Sequence, residues 1–227
     1  MATKTKTTNR IEGNGSLAST ITIAPPDLPV VEFVIRGTAP LVQNRFPAKA
    51  MQMMRETQEA GSTAKKGKKK EAKNFTECYE QSMHLASKAD GGWNGHPCAS
   101  FRNACVSACR ICGFQMTKAK LSIFCLPNGF EADGTPLVKI TKGKPRQHEA
   151  PVRLASGVCD IHARAMFDPG WEMIVSVQFD ADQFTVNDVT NLMCRVGMQV
   201  GIGEGRHDSK ASNGMGWGLF ELLGKTA

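Results

Sequence analysis

Apolar and polar residues alternate at the strand period in some stretches of the chain and recur at the helical period in others, so the switches between them mark its elements. The β-branched run Val30-Val-Glu-Phe-Val-Ile-Arg36, bounded by Pro29 and Gly37, predicts a first strand followed by a loop over 38–47. Good helix formers from Lys49 to Glu59, with Met51, Met54 and Gln58 on one side, predict a short helix. A second helix is expected from Phe75 to Ser87, stopped by Gly91-Gly-Trp-Asn-Gly-His-Pro97. Phe101, Cys105, Ala108, Cys109 and Cys112 then recur on one helical face, opened by Pro97 and Ser100 and closed by Gly113. From Thr117 to Leu154 the pattern is strand-like, in Lys120–Cys125 and Leu137–Thr141, with turn signals at Pro127-Asn-Gly129 and Asp133-Gly134. Two alternating runs, Cys159–Phe167 and Trp171–Phe179, flank Asp168-Pro-Gly170 and predict a tight hairpin. Thr185 and Asp188 make a capping-box-like pair at the start of a helix to Val200, with Val189, Leu192, Met193 and Val196 on one face. Trp217–Leu223 predicts a closing strand.

Residues 1–28, rich in Thr, Ser, Asn and Pro, predict an extended arm, and 29–224 one domain with insertions at about 48–95 (helices and a lysine loop) and 117–156 (β-rich). With the insertions set aside, the order is strand, helix, strand, strand, helix, strand. That is an α+β, ferredoxin-like (RRM-like) arrangement, an antiparallel sheet with two covering helices. RNA-recognition domains bind single strands on the open face of such a sheet.

The length of 227 residues and the apolar fraction of 41% allow a packed core. No apolar run approaches the roughly 18 residues of a membrane span, and the polar start lacks a signal peptide's apolar segment, so a cytoplasmic protein with no membrane partner is expected. Eight cysteines in mostly apolar surroundings predict reduced, core-packed thiols; Cys109-x-x-Cys112 has a ligand-like spacing, but no second pair follows it. The net charge is +7, of which Lys65, Lys66, Lys68, Lys69, Lys70 and Lys73, with Glu71, contribute +5 and leave +2 for the rest. This run predicts a solvated basic loop, able to hold phosphates without sequence preference.

Six glycines between 201 and 218 bracket a polar loop. The loop leaves a helix and enters a strand, the reverse of nucleotide-binding glycine motifs, so no cofactor site is predicted. Two readings stay open. One is a helix cap with a long connection, in which Gly214, Gly216 and Gly218 admit a close neighbour; the other is an anion-binding nest among Arg206, His207 and Lys210. Gly214-Met-Gly-Trp-Gly-Leu-Phe220 echoes the aromatic motif of RNA-recognition domains, but it lies on the last strand, and Trp217 and Phe220 are expected in the core.

His148, His162 and His207 are far apart in sequence, and Glu204, Arg206, His207 and Asp208 predict a charged solvent loop rather than an acid–base cluster. No catalytic residue, metal site or cofactor is predicted. Asn44, Arg45 and Lys49 follow the first strand, and Lys118, Lys120, Lys139, Lys142, Lys144, Arg146, Arg153 and Arg164 punctuate the β-rich part. These form either a basic stripe along one sheet face or the solvent side of half-buried strands.

Val34-Ile-Arg-Gly-Thr-Ala-Pro-Leu41, then Asn44-Arg45-Phe46, and the terminal Gly-Ile-Gly-Glu-Gly-Arg-x(7)-Gly-Met-Gly-Trp-Gly-x-Phe-Glu resemble the repeat-associated mysterious protein superfamily. The branch resembled is that of the backbone subunits of CRISPR effector complexes and their stand-alone phage-encoded relatives. The resemblance implies a ferredoxin-like palm with thumb and finger insertions that binds single-stranded RNA or DNA and polymerises head to tail into a helical filament. It implies phosphate contacts for Asn44, Arg45 and Lys49, a thumb around Lys139–Arg146, and a position near nucleic acid or the next protomer for Arg206–Lys210. Cleaving members carry an aspartate after the first strand, where this chain has Val42, Gln43 and Asn44, which argues against cleavage. Two other functions remain open: a structural or effector-mimicking protein that assembles without nucleic acid, and a metal-free RNA endonuclease using His162 or His207.

Overall fold

A computed structural model describes residues 24–61, 72–153, 159–208 and 214–226. The arm as far as residue 23, Lys65, Lys66, Lys68, Lys69, Lys70 and Lys210 lie outside the described residues. The first strand, β1 (Val30–Gly37), follows its alternation: Val31, Phe33 and Ile35 are buried, while Val30 and Glu32 are exposed. The next loop contains an unforeseen strand, β2 (Leu41–Gln43), all three residues of which are buried. Helix α1 (Ala48–Ala60) is where the helix formers predict it. Helix α2 (Phe75–Gln81) stops six residues short of the predicted Ser87, because His84, Leu85 and Ala86 turn back to pair with the segment leading into β3 (Gly95–Pro97). Then come α3 (Cys98–Ile111), α4 (Met116–Ser122), β4 (Ile123–Leu126), β5 (Gly129–Phe130), β6 (Pro136–Lys142) and β7 (Pro145–Arg153). The stretch 117–122, predicted as strand, is helical: only Ala119 and Ser122 of α4 are buried, a spacing of three that fits one helical face. After β8 (Cys159–Phe167) and β9 (Glu172–Phe179), α5 (Val186–Arg195) opens with the predicted capping box between Thr185 and Asp188 and ends in a π-helical turn, Val196–Val200. The last strand, β10 (Phe220–Thr226), begins three residues later than its pattern predicts.

The fold is mixed α+β with antiparallel sheets and five α-helices among the described residues. In the larger sheet β10, β1, β9 and β4 lie side by side, each neighbouring pair antiparallel. Beyond β4, β6 takes over the same edge of β9 and carries β3 and β5. Helices α3 and α5 contact each other on one face, where Phe101, Cys105, Cys109, Val189 and Met193 meet Phe33, Val175, Val177 and Phe220. Three of the eight cysteines, Cys98, Cys105 and Cys109, are core residues, and burial pushes the Cys105 thiol up to about 12. No helix among the described residues is long and apolar enough to cross a membrane.

The predicted hairpin between β8 and β9 does not form. Strand β8 belongs to a second sheet, ordered β2-β8-β7, while β9 is central to the first. Nine residues of β7 pair with β8 and leave no edge for β9, since β2 fills the other side. The Asp168–Gly170 turn is instead tied to the end of β1: the Gly170 amide donates to the Gly37 carbonyl (2.8 Å), and the Gly37 amide to the Trp171 carbonyl (2.8 Å). Trp171 is fully buried and donates from Nε1 to the Ala39 carbonyl (2.9 Å). Its ring covers Gly37, where a Cβ would lie 2.0 Å from Nε1. The chain thus turns a corner from one sheet to the other.

Candidate nucleic-acid interface

The glycine loop joins the two sheets. Its first limb lies along β2, where the Glu204 amide donates to the Val42 carbonyl (3.0 Å). Its second limb crosses the first: the Ile202 amide donates to Gly218 (3.1 Å) and the Gly218 amide to Pro40 (2.7 Å). Gly201, Gly203, Gly205, Gly216 and Gly218 all have φ between 72° and 78°. At Gly218 a Cβ would stand 1.8 Å from the Ile202 oxygen, so the crossing requires glycine. The reading as a close-packed connection therefore accounts for this density.

This crossing sets Trp217 beside the second sheet. The β7–β8 register puts His148 opposite Arg164 and Arg146 opposite Met166, so Arg146, His148, His162 and Arg164 share one face. Trp217 is half-buried, contrary to the expectation of a core residue, and meets His148 edge-on with ring centroids 5.6 Å apart. Arg164 donates to Glu204 (3.1 Å) and to His162 Nδ1 (3.2 Å). Asp160, whose carboxyl is lowered chiefly by its hydrogen bond from Lys73, closes the row beside His162. Partial burial, and then the positive charge of Arg164, lower the His162 pKa and favour the neutral ring.

The structure divides the other predicted contacts. Arg146 is exposed and paired with Asp168 (2.9 Å), Lys142 with Glu172 (3.0 Å), and Lys73 with Asp160 (2.9 Å). Lys139 stands over the Trp93 ring (5.8 Å), and Lys144, Asn44 and Lys49 are exposed. Glu204, Arg206, His207 and Asp208 diverge, since Arg206 donates to the Gly203 carbonyl (2.9 Å) while Asp208 pairs with Arg110 (2.9 Å). His207 is exposed and lies against Gly216. The open face of the larger sheet sets Glu32, Glu172 and Glu221 against Arg36 and Lys142; β1, β9 and β10 put no ring on it, and β4 puts there the half-buried ring of Phe124, 5.8 Å from the Arg102 guanidinium. The second sheet pairs its cations as well, Arg146 with Asp168, Arg164 with Glu204 and Lys73 with Asp160; what sets it apart is the row of Arg146, His148, His162 and Arg164 beside the half-buried ring of Trp217.

Arg45, for which a phosphate contact was expected, is engaged within the fold. Its Nε is 2.5 Å from the carboxylate of Glu131, whose side chain is only 2% exposed and also accepts from His84 Nδ1. Gln43 is buried below this pair, accepting from the His84 amide (3.1 Å) and donating to the Gly95 carbonyl (2.6 Å). His96 lies close by, buried against Phe101 and His84, and neither ring nitrogen has a hydrogen-bond partner among the described residues. Burial first, and then the positive charges of His84 and Arg206, lower its pKa to about 3. The unfolded chain therefore takes up a proton near pH 6.5 that the folded chain refuses, and this site costs about 1.4 kcal/mol of stability per pH unit as pH falls from 6.5 towards 3. In urea unfolding between pH 6.5 and 5, His96→Leu is expected to be less acid-sensitive than the parent by about 2 kcal/mol. Equal acid sensitivity would show that His96 is not the group responsible.

Sequence reasoning missed Gln43, His84, His96, Glu131 and the pairing of His148 with Trp217. None follows a motif, because each pair is joined only by the packing of distant strands. Among the described residues no cluster of three or more His, Cys, Asp or Glu could hold a metal ion. No protein-family model matches the chain, and the curated proteins compared with it contain no significant match.

Proposed function

We propose that this protein binds single-stranded nucleic acid without sequence preference, along the face of the second sheet beside the glycine loop, and assembles head to tail with further copies of itself. Binding and assembly, rather than turnover, are its activity in this reading. The observation that carries it is the meeting of Arg146, His148, His162 and Arg164 on one face with the half-buried ring of Trp217. The guanidinium groups of Arg146 and Arg164 beside a partly open aromatic ring suit a strand whose phosphates replace Asp168 and Glu204 as their partners and whose bases stack. The strand order β10-β1-β9-β4 with α3 and α5 on one side supports a ferredoxin-like palm. The sequence resemblance at β1 and the glycine loop supports the phage-encoded, filament-forming branch.

Fluorescence anisotropy with labelled single-stranded RNA and DNA tests the binding. The logarithm of affinity is expected to fall linearly with the logarithm of salt concentration. Trp217→Ala is expected to weaken binding about tenfold, within the range of one lost stacking contact, and Trp217→Phe to restore most of it. Affinity at low salt no better than that of a neutral control protein would reject the proposal.

A further inference from the structure

Strand β10 is an edge. β1 pairs along one side of it, and no element among the described residues pairs with the other. Such an edge of seven residues presents unpaired backbone donors and acceptors that can template another strand. Leu223 is 42% exposed on it.

The chain ahead of β1 is led away from this edge. The Ala181 amide donates to the Asp27 carbonyl (2.9 Å) and the Phe179 amide to the Pro29 carbonyl (3.1 Å). Residues 27–29 therefore run past the end of β9, which flanks β1 on the side opposite β10. The 26 residues before them include Ser19-Thr-Ile-Thr-Ile23, alternating and β-branched, a good strand sequence outside the described residues. Four links separate Ile23 from the anchored Asp27, so Ile23 lies within about 14 Å of the end of β9, across β1 from the free edge of the chain's own β10.

We propose that Ser19–Ile23 of one copy adds as a strand to the free edge of β10 in the next copy. This rests on the assembly half of the proposed function and names its contact. Backbone hydrogen bonds supply the affinity, and alternation sets Ile21 and Ile23 on one face of the added strand, where Leu223 offers an apolar neighbour. Donor and acceptor are different surfaces, so the contact is heterologous and repeats without closing unless the rotation makes a ring.

Sedimentation velocity and amide hydrogen exchange on the full chain test this, with Ile21→Pro combined with Thr22→Pro as the variant. Because the two positions are adjacent, one proline removes a donor facing β10 whichever way the strand is turned. The full chain is expected to assemble as its concentration rises, with slowed exchange at those amides of residues 221–225 that point away from β1. The double variant is expected to stay monomeric, with fast exchange there and an unchanged unfolding midpoint. Assembly of the double variant like that of the parent would overturn the contact and leave the proposed function standing. Slow exchange, in monomeric full chain, of the β10 amides that point away from β1 would also overturn it, by showing that a copy covers its own edge. A full chain that never assembles, with or without oligonucleotide, would overturn both this contact and the assembly reading, while anisotropy reports separately on nucleic-acid binding.

Discussion

Gly218→Ala is expected to lower stability by about 4 kcal/mol, enough to leave little folded protein if the parent lies at the low end of the usual range of about 5–15 kcal/mol. Two costs add. The residue has φ +72°, and an L side chain in that region costs about 1–2 kcal/mol. The new Cβ would also stand 1.8 Å from the Ile202 oxygen, a backbone atom that cannot swing aside as a flexible side chain would. Moving it breaks the crossing of Ile202 with Gly218 or the bond from the Gly218 amide to Pro40, and overpacking of this kind costs about 1–3 kcal/mol. Gly134→Ala separates the two terms: its φ is +86°, but nothing lies within 4 Å of the added carbon, so only the conformational cost of about 1 kcal/mol is expected. Urea unfolding of both variants checks the difference. Equal losses would mean that the loop yields to the methyl group.

Arg45→Met is expected to cost about 3 kcal/mol of stability. The reason is an asymmetry in burial. Arg45 is 26% exposed and can turn to water, whereas the Glu131 carboxylate at 2% exposure cannot. Losing the arginine leaves a buried carboxylate with His84 as its remaining close partner, and breaking a buried pair from one side costs about 3–5 kcal/mol. Glu131→Gln keeps hydrogen-bonding capacity and removes the buried charge, so a smaller loss of about 1 kcal/mol is expected. The pair of measurements also assigns the role of Arg45. A destabilised Arg45→Met protein that binds oligonucleotide normally when folded supports the structural role. A stable protein with weakened binding would return Arg45 to the phosphate contacts that its position after the first strand suggests.

Elements whose pattern and caps agree with their surroundings were legible from the chain. β1 alternates because one face meets helices, α5 has its cap written as Thr185 and Asp188, and the face of α3 recurs at Phe101, Cys105 and Cys109 because it meets the sheet. The glycine loop was legible as close-packed backbone, but not as the crossing that joins two sheets. The errors share one cause. The hairpin from 159 to 179 has local signals for pairing, yet β2 and β7 fill both edges of β8, and hydrogen bonds from Gly37 and Gly170 hold the turn on β1. The segment 117–122 alternates like a strand over too few residues for its period to exclude a helix.

Local sequence determined the number of apolar faces, the positions of caps and turns, and the glycine positions where L side chains are strained, since these depend on neighbours three or four residues apart. Tertiary structure alone decided which strand edges are filled, that Arg45 serves Glu131, and that His148 and Trp217 meet beside Arg164. These outcomes depend on competition between distant segments for the same hydrogen bonds and the same buried space, and no local period records which competitor wins.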